Sequence, residues 1–224
     1  LIMELTENTL QVLRNFASIH QNIVIQEGNI LRTVSEAKTV LARSEIDVDF
    51  PSSFGVYDLG ELLSVLSLVE SPRIAFDEKF LTISDGSGRS SVKYFYSDPN
   101  ILTSSTKDIS MPDPDVSFRL ERETMNKIKR AASVFGHTEV SVTKEDGAII
   151  LTVLNNEDPT SNTLKIMVDG SSDLNDFKLI FNINNLKMID GDYDVNLSSK
   201  LISHFVNTES NVEYWVALQK TSKF

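Results

Sequence analysis

One order of local patterns runs twice along this chain, once on each side of a connector that has no pattern of its own. In the first half, Leu10, Leu13, Phe16 and Ala17 recur at three- and four-residue spacing, which predicts a helix over Leu10–His20 with Thr6 as its N-cap. Short strand runs follow at Ile23–Ile25, Ile30–Val34 and Thr39–Ala42, with Glu27-Gly28-Asn29 as a turn. Phe54–Tyr57 leads to Asp58, an N-cap for a second helix through Leu62, Leu63, Leu66 and Val69. Arg73–Phe76, Phe80–Ser84 and Ser91–Ser97 then read as strands, the last two joined by the turn residues Asp85-Gly86-Ser87-Gly88. Asp98 to Asp115 holds Pro99, Pro112, Pro114 and a Thr-Ser-Ser-Thr stretch, the composition of an extended linker.

Beyond the linker the order returns. Val116–Leu120 is a strand, and Glu123–Phe135 a helix with Met125, Ile128, Ala132 and Phe135 on one face. Val140–Thr143 and Ala148–Leu154 form a hairpin around Glu145-Asp146-Gly147. Strands at Thr163–Val168 and Phe177–Ile183 precede a helical turn at Asn184–Ile189, and Tyr193–Leu197, Leu201–Val206 and Val212–Leu218 close the chain. The two halves share few letters, so the repeat lies in the pattern. It predicts an α+β chain of two similar, sheet-rich domains, residues 1–108 and 109–224.

The 224 residues suffice for two modest cores, and with 24% charged and 41% apolar residues they read as globular. There is no cysteine, which excludes disulfides and thiolate metal sites and suits a reducing compartment. The longest nearly apolar run, Leu62–Val69, is too short to span a bilayer, so no membrane association is expected. Leu1 and Ile2 precede Met3, a candidate start, and nothing there has the form of a secretory signal. The net charge of −11 opposes nucleic-acid binding as a sum. DNA, however, feels local surface, and Arg119, Arg122, Lys127, Lys129 and Arg130 form the most basic stretch, opposed there only by Glu121 and Glu123.

The patterns that carry catalysis are weak. Asp190, Asp192 and Asp194 alternate, but a calcium loop counted from Asp190 needs glycine at its sixth position and a carboxylate at its twelfth; Val195 and Leu201 stand there. His20, His137 and His204 are scattered, and structural roles suit them better than metal ligation. Ser87 lacks the Gly-x-Ser-x-Gly context of a nucleophile, and no phosphate-loop motif exists. No metal and no cofactor are expected. Two rival readings remain: an acidic α+β hydrolase with a carboxylate pair, and a structural oligomeric virion protein.

Several segments together resemble the sliding clamps of tailed phages. Leu13-Arg14-Asn15-Phe16-Ala17-Ser18-Ile19 resembles their first helix, and Val56-Tyr57-Asp58-Leu59 with Leu63 to Val69 their second. Phe181 to Met188 with Gly191-Asp192-Tyr193 resembles the last helix and its exit, and Tyr214-Trp215-Val216-Ala217-Leu218 the final strand. The resemblance spans nearly the whole chain, and is weakest in the linker and over Asp146–Asp176. It implies two clamp domains per chain, with helices lining a ring and sheets outside, closed as a homotrimer around double-stranded DNA without regard to sequence. It also implies no catalysis, a tethered DNA polymerase, an ATP-dependent clamp loader, and a place in the cytoplasm of the infected bacterial host.

Site residues follow from the same resemblance. The helix faces opposite the cores, ordinary solvated faces on their own, would turn toward DNA: Arg14 and Ser18 on the first helix; Arg122, Asn126, Lys127, Lys129 and Arg130 near or on the second domain's helix; and Lys187 projecting from the last helical turn. The helix after Asp58 carries no Lys or Arg, so the second domain is expected to carry most of the contact. Ser91–Ser97 and Thr163–Val168 would be open sheet edges joining subunits head to tail, through Val92, Lys93, Tyr94 and Tyr96 on one side and Leu164, Lys165, Ile166 and Val168 on the other. Family clamps bind partner tails in an apolar pocket between the domains; here Ile101, Leu102, Ile109, Met111 and Pro112 would line it.

Overall fold

The computed structural model describes residues 1–105 and 107–224; Thr106, the last residue of the Thr-Ser-Ser-Thr stretch, lies outside the described residues. The chain divides into two compact units, Leu1–Lys107 and Asp108–Phe224.

The first unit contains β1 (Ile2–Met3), α1 (Glu7–Ile19), β2 (Ile23–Ile25), β3 (Gly28–Val34), β4 (Val40–Phe50), β5 (Phe54–Val56), α2 (Leu59–Ser67), β6 (Arg73–Phe76), β7 (Phe80–Ser84) and β8 (Ser91–Phe95). Both sequence caps form: Thr6 accepts from the Thr9 amide at 3.1 Å and Asp58 from the Glu61 amide at 3.0 Å. The buried stripe of α1 is Thr9, Val12, Leu13, Phe16 and Ile19, a rotation away from the expected Leu10 and Ala17. Thr9 can face inward because its hydroxyl donates to Asp47 at 2.8 Å, so a polar residue occupies a core position with its hydrogen bond made. The strand expected to end at Ala42 runs on to Phe50. Ser44, Ile46 and Phe50 are buried while Glu45, Asp47 and Asp49 are exposed, a period of two that the acidic letters conceal.

One sheet of this unit has the order β1-β6-β7-β8, β3 pairs with β4, and β2 with β5. Strand β1 lies ahead of every element read from the sequence; Ile2 pairs with Ala75 and Met3 with Ile74. After β8 the chain crosses back, with the Ser97 amide donating to the Gly55 carbonyl at 2.9 Å. A Cβ at Gly55 would collide with the Ser97 carbonyl oxygen and come within 2.8 Å of Leu102 Cδ1, so only glycine allows this approach.

The second unit contains β9 (Val116–Leu120), α3 (Arg122–Phe135), β10 (Glu139–Glu145), β11 (Ala148–Leu154), β12 (Leu164–Val168), β13 (Gly170–Ser172), β14 (Lys178–Asn182), β15 (Tyr193–Ser198), β16 (Ile202–Asn207) and β17 (Val212–Ala217). Its strands run in the orders β12-β11-β10-β14 and β13-β9-β15-β16-β17. The β10–β11 hairpin turns on Asp146 (φ 50°) and Gly147 (φ 83°), two left-handed residues that match the twist of the strands. The helical turn expected over Asn184–Ile189 is one 3-10 turn, Ile183–Asn185. Strand β13 was missed because Gly-Ser-Ser has no apolar alternation; main-chain pairing with Val116–Phe118 holds it. Tyr193, Phe205, Tyr214, Ile149 and Leu179 lie at the centre of this core, with Met125, Ile128 and Ala132 turned in from α3.

Candidate nucleic-acid interface

Helix α3 presents one face to its core, and the opposite face carries the clearest chemistry. Lys127 and Arg130 are exposed and have no hydrogen-bonded or ion-pair partner among the described residues. Asn126 is exposed beside them, and the face ends in Val134, 75% exposed.

The other basic residues assigned to this surface are placed differently. Lys129 is half-buried on the flank of α3, in a groove of about 250 Å³ lined by Met125, Asn126, Met188, Asp190 and Tyr193. Burial pushes its ammonium pKa below the ordinary value, and nearby Asp190 opposes that shift. The expectation of an outward Lys129 is therefore corrected: four residues after Met125, it stays beside the buried stripe. Arg122 is exposed, but its Nε meets Asp190 at 3.2 Å. Arg119 pairs with Asp194 at 3.1 Å and reaches Asp192 at 3.7 Å. The alternating aspartates thus hold arginines; among the described residues no group of three or more His, Cys, Asp or Glu is placed to hold a metal ion. In the first unit Arg14 pairs with Glu7 at 2.7 Å, and the Ser18 hydroxyl donates to the Asn15 carbonyl at 2.5 Å. Lys187 is exposed just after the 3-10 turn. The pairs escaped the sequence because their partners lie up to 75 positions away.

Glu7, Asp47, Asp85 and Asp158 have displaced pKa values, and each is lowered, first by side-chain hydrogen bonds. A hydrolytic acid needs the opposite, a carboxyl raised by burial. The histidines make local contacts: His20 accepts from the Asn22 amide at 2.8 Å, and His204 stacks on Trp215 at 4.7 Å.

Both expected edges are terminal strands of their sheets, β8 and β12. The side chains divide by strand parity. On β8, Val92 and Tyr94 are half-buried, and the Tyr94 hydroxyl donates to the Asp58 carbonyl at 3.3 Å; Tyr96 stacks on Phe54 at 4.9 Å. On β12, Leu164, Ile166 and Val168 are half-buried. The outward side chains are Lys93 and Phe95 (66% exposed) on β8, and Lys165 and Met167 (71% exposed) on β12. Phe95 and Met167 were missed, although the same alternation marks them. Lys93 sits 4.7 Å over the Phe80 ring, and Lys165 meets Glu145 at 2.8 Å.

The backbone divides the same way. The Tyr96 amide donates to the Lys79 carbonyl, so in this antiparallel register Tyr94 and Val92 also spend their amides on β7, leaving those of Ser91, Lys93 and Phe95 directed outward. On β12 the hairpin register assigns Leu164, Ile166 and Val168 to bonds with β11, and leaves Lys165 and Met167 directed outward. Among the five linker residues, Ile101 is 70% exposed, Leu102 is 8% exposed and packed at Gly55, and Ile109, Met111 and Pro112 are half-buried.

Residues 6–102 match the family described as DNA polymerase processivity factor, and residues 117–220 the family described as gp45 sliding clamp, C terminal. A sliding clamp of Vibrio phage KVP40 is 31% identical over 223 residues, covering 97% of this chain and 99% of that protein. The chain belongs to the sliding-clamp family. Sliding clamps of Escherichia phage RB69 and Enterobacteria phage T4 are 27% and 26% identical, each alignment covering 98% of both chains. The fold is shared more widely. Proliferating Cellular Nuclear Antigen from Entamoeba histolytica superposes with a TM-score of 0.66 at 12% identity, covering 95% of each chain. Caulobacter crescentus pol III beta gives 0.70 at 13%, covering 98% of this chain and 65% of that one. The clamp is accordingly a DNA polymerase processivity factor of α+β clamp fold, and not an enzyme.

Proposed function

We propose that three copies of this clamp join head to tail in a closed ring around duplex DNA and hold a DNA polymerase on its template. The observation that carries this reading is the pair of open edges. Each sheet ends in a short strand whose outward amides and outward side chains belong to the same residues, Lys93 and Phe95 on β8 and Lys165 and Met167 on β12. Such edges favour pairing with another chain, and a joint between two unlike edges closes on itself when the rotation between copies is right. Phe95 and Met167 supply the apolar seal; Tyr94 and Ile166 brace each strand from within its own domain.

In this reading Lys127 and Arg130 face the DNA backbone, as do Asn126, Arg122 and Lys187 in the same unit and, separately, Arg14 and Ser18 on the helix of the first unit. Contacts to phosphate without reading bases suit a protein that must move along any sequence. Double-stranded DNA, the polymerase and an ATP-dependent loader are the partners, in the cytoplasm of an infected bacterium where phage DNA is copied. Polymerase tails dock at the connector on Ile101, Ile109, Met111 and Pro112; Leu102 is withdrawn from that role by its packing against Gly55. Light scattering tests the assembly: a mass about three times 25.1 kDa supports it, and a monomer at high concentration contradicts it.

A further inference from the structure

The helix cations divide into paired, half-buried and free. Arg14 is held by Glu7 at 2.7 Å, two turns away on the same helix. Arg122 and Lys129, also two turns apart, lie on the flank of α3 that meets Asp190; Arg122 pairs with that carboxylate at 3.2 Å, and Lys129 borders it in the groove. Lys127 and Arg130, on the outer face of the same helix, are without such partners among the described residues. Folding alone does not require the pairs, since Glu7, Arg14, Arg122 and Asp190 are all largely exposed.

We propose that Glu7 and Asp190 are grip-limiting residues: fixed counter-charges that occupy Arg14 and Arg122 and so, with Lys129 withdrawn by its half-burial, confine the freely available positive charge of the two helices to Lys127 and Arg130. A ring that tethers must stay near the DNA axis, and a ring that slides must not be held at any one phosphate. Every additional phosphate neutralised adds a contact that must break at each step along the duplex. A carboxylate about 3 Å from a guanidinium competes with phosphate for it, so the pair attracts DNA less than a lone cation does. The wall thereby stays attractive with a small number of strong contacts, and the chain's acidity becomes part of how it moves. This inference rests on the ring reading above.

The test is the one-dimensional diffusion of the assembled clamp, loaded on stretched duplex DNA and followed by single-molecule fluorescence at roughly 50 to 200 mM salt. Glu7→Gln and Asp190→Asn each release cations while keeping side-chain shape, and Glu78→Gln, in the β6–β7 turn, makes the same change in net charge away from the helices. One released phosphate contact should slow diffusion about threefold at the low-salt end, with the difference closing as salt rises, as expected for a salt slope near 0.9 per contact. Glu78→Gln should diffuse as wild type does. Unchanged diffusion in both helix variants, or equal slowing in Glu78→Gln, would overturn the proposal. If wild type itself fails to remain on DNA and move, the ring reading fails instead. Thermal melts of each variant, unchanged from wild type, keep a folding defect from imitating either result.

Discussion

The backbone amide of Arg122 donates to the Asp192 carboxylate at 2.7 Å, so the first turn of α3 is capped by a residue seventy positions away. Glu121, at the N-cap position itself, makes no side-chain cap bond. An anion there also meets the positive end of the helix dipole. Asp192→Ala should lower stability by about 1 kcal/mol, the usual worth of a cap, and Asp192→Asn should recover most of it. Urea unfolding of the two variants measures this; equal losses would show that the charge, and not the capping oxygen, matters.

The edge strands give a test that depends on parity. Proline at Lys93 or at Met167 removes an amide directed out of the sheet and spares the internal ladder. Each variant should raise the concentration at which trimer dissociates by about tenfold, the equivalent of roughly 1.4 kcal/mol, with the domains still folded. Proline at Tyr94 or Ile166 breaks a bond to β7 or β11 instead, and should lower the melting temperature. Sedimentation and thermal unfolding together separate the two outcomes; no difference between the parities would show that these strands do not form the joint.

Changing Lys127 and Arg130 together to alanine should shorten retention on linear duplex DNA, where the ring can leave at an end, and flatten its salt dependence. Both are exposed and have no ion-pair partner among the described residues, so the change should alter stability by less than about 0.5 kcal/mol. A salt titration of retention, beside a melt, checks both halves of this expectation. Retention equal to wild type at every salt would place these side chains away from the DNA.

Asp47 links acid stability to α1. Its carboxylate accepts from Thr6 Oγ1 at 2.6 Å and Thr9 Oγ1 at 2.8 Å, and these bonds hold its pKa below the ordinary value of 3.8. A lowered folded-state pKa gives stabilisation that is present above the unfolded value and lost as pH falls through the folded one. Wild type should therefore lose stability more steeply than Asp47→Asn below about pH 4, the curves converging in stronger acid. Parallel curves would mean that the threonines do not favour the charged form.

How much of this was legible in the sequence depended on the range of the cause. Thr6, Asp58 and the Asp146-Gly147 turn act within a few residues, and each was readable. Lys127 and Arg130 followed from helical phase alone. Lys129 did not, because it sits at the border of the buried stripe, where a small rotation decides exposure. The outward positions of β8 and β12 needed the register: periodicity showed that Phe95 and Met167 share a face with Lys93 and Lys165, but not which face the domain would cover. Strand β4 was cut short at Ala42 because its exposed positions are acidic; β1 is only two residues long, and β13, Gly-Ser-Ser, carries no apolar residue to announce it. The pairings of Arg119 and Arg122 with Asp190, Asp192 and Asp194 bring together distant parts of the second unit, which no local pattern encodes.

Topological retention tests the central claim most directly. Clamp loaded on nicked circular duplex and washed at high salt should stay bound, and should be released when a single cut makes the circle linear, because a ring that surrounds DNA without gripping it leaves only at an end. Retention that is the same on circular and linear DNA, or that disappears from circular DNA in the high-salt wash, would contradict the account.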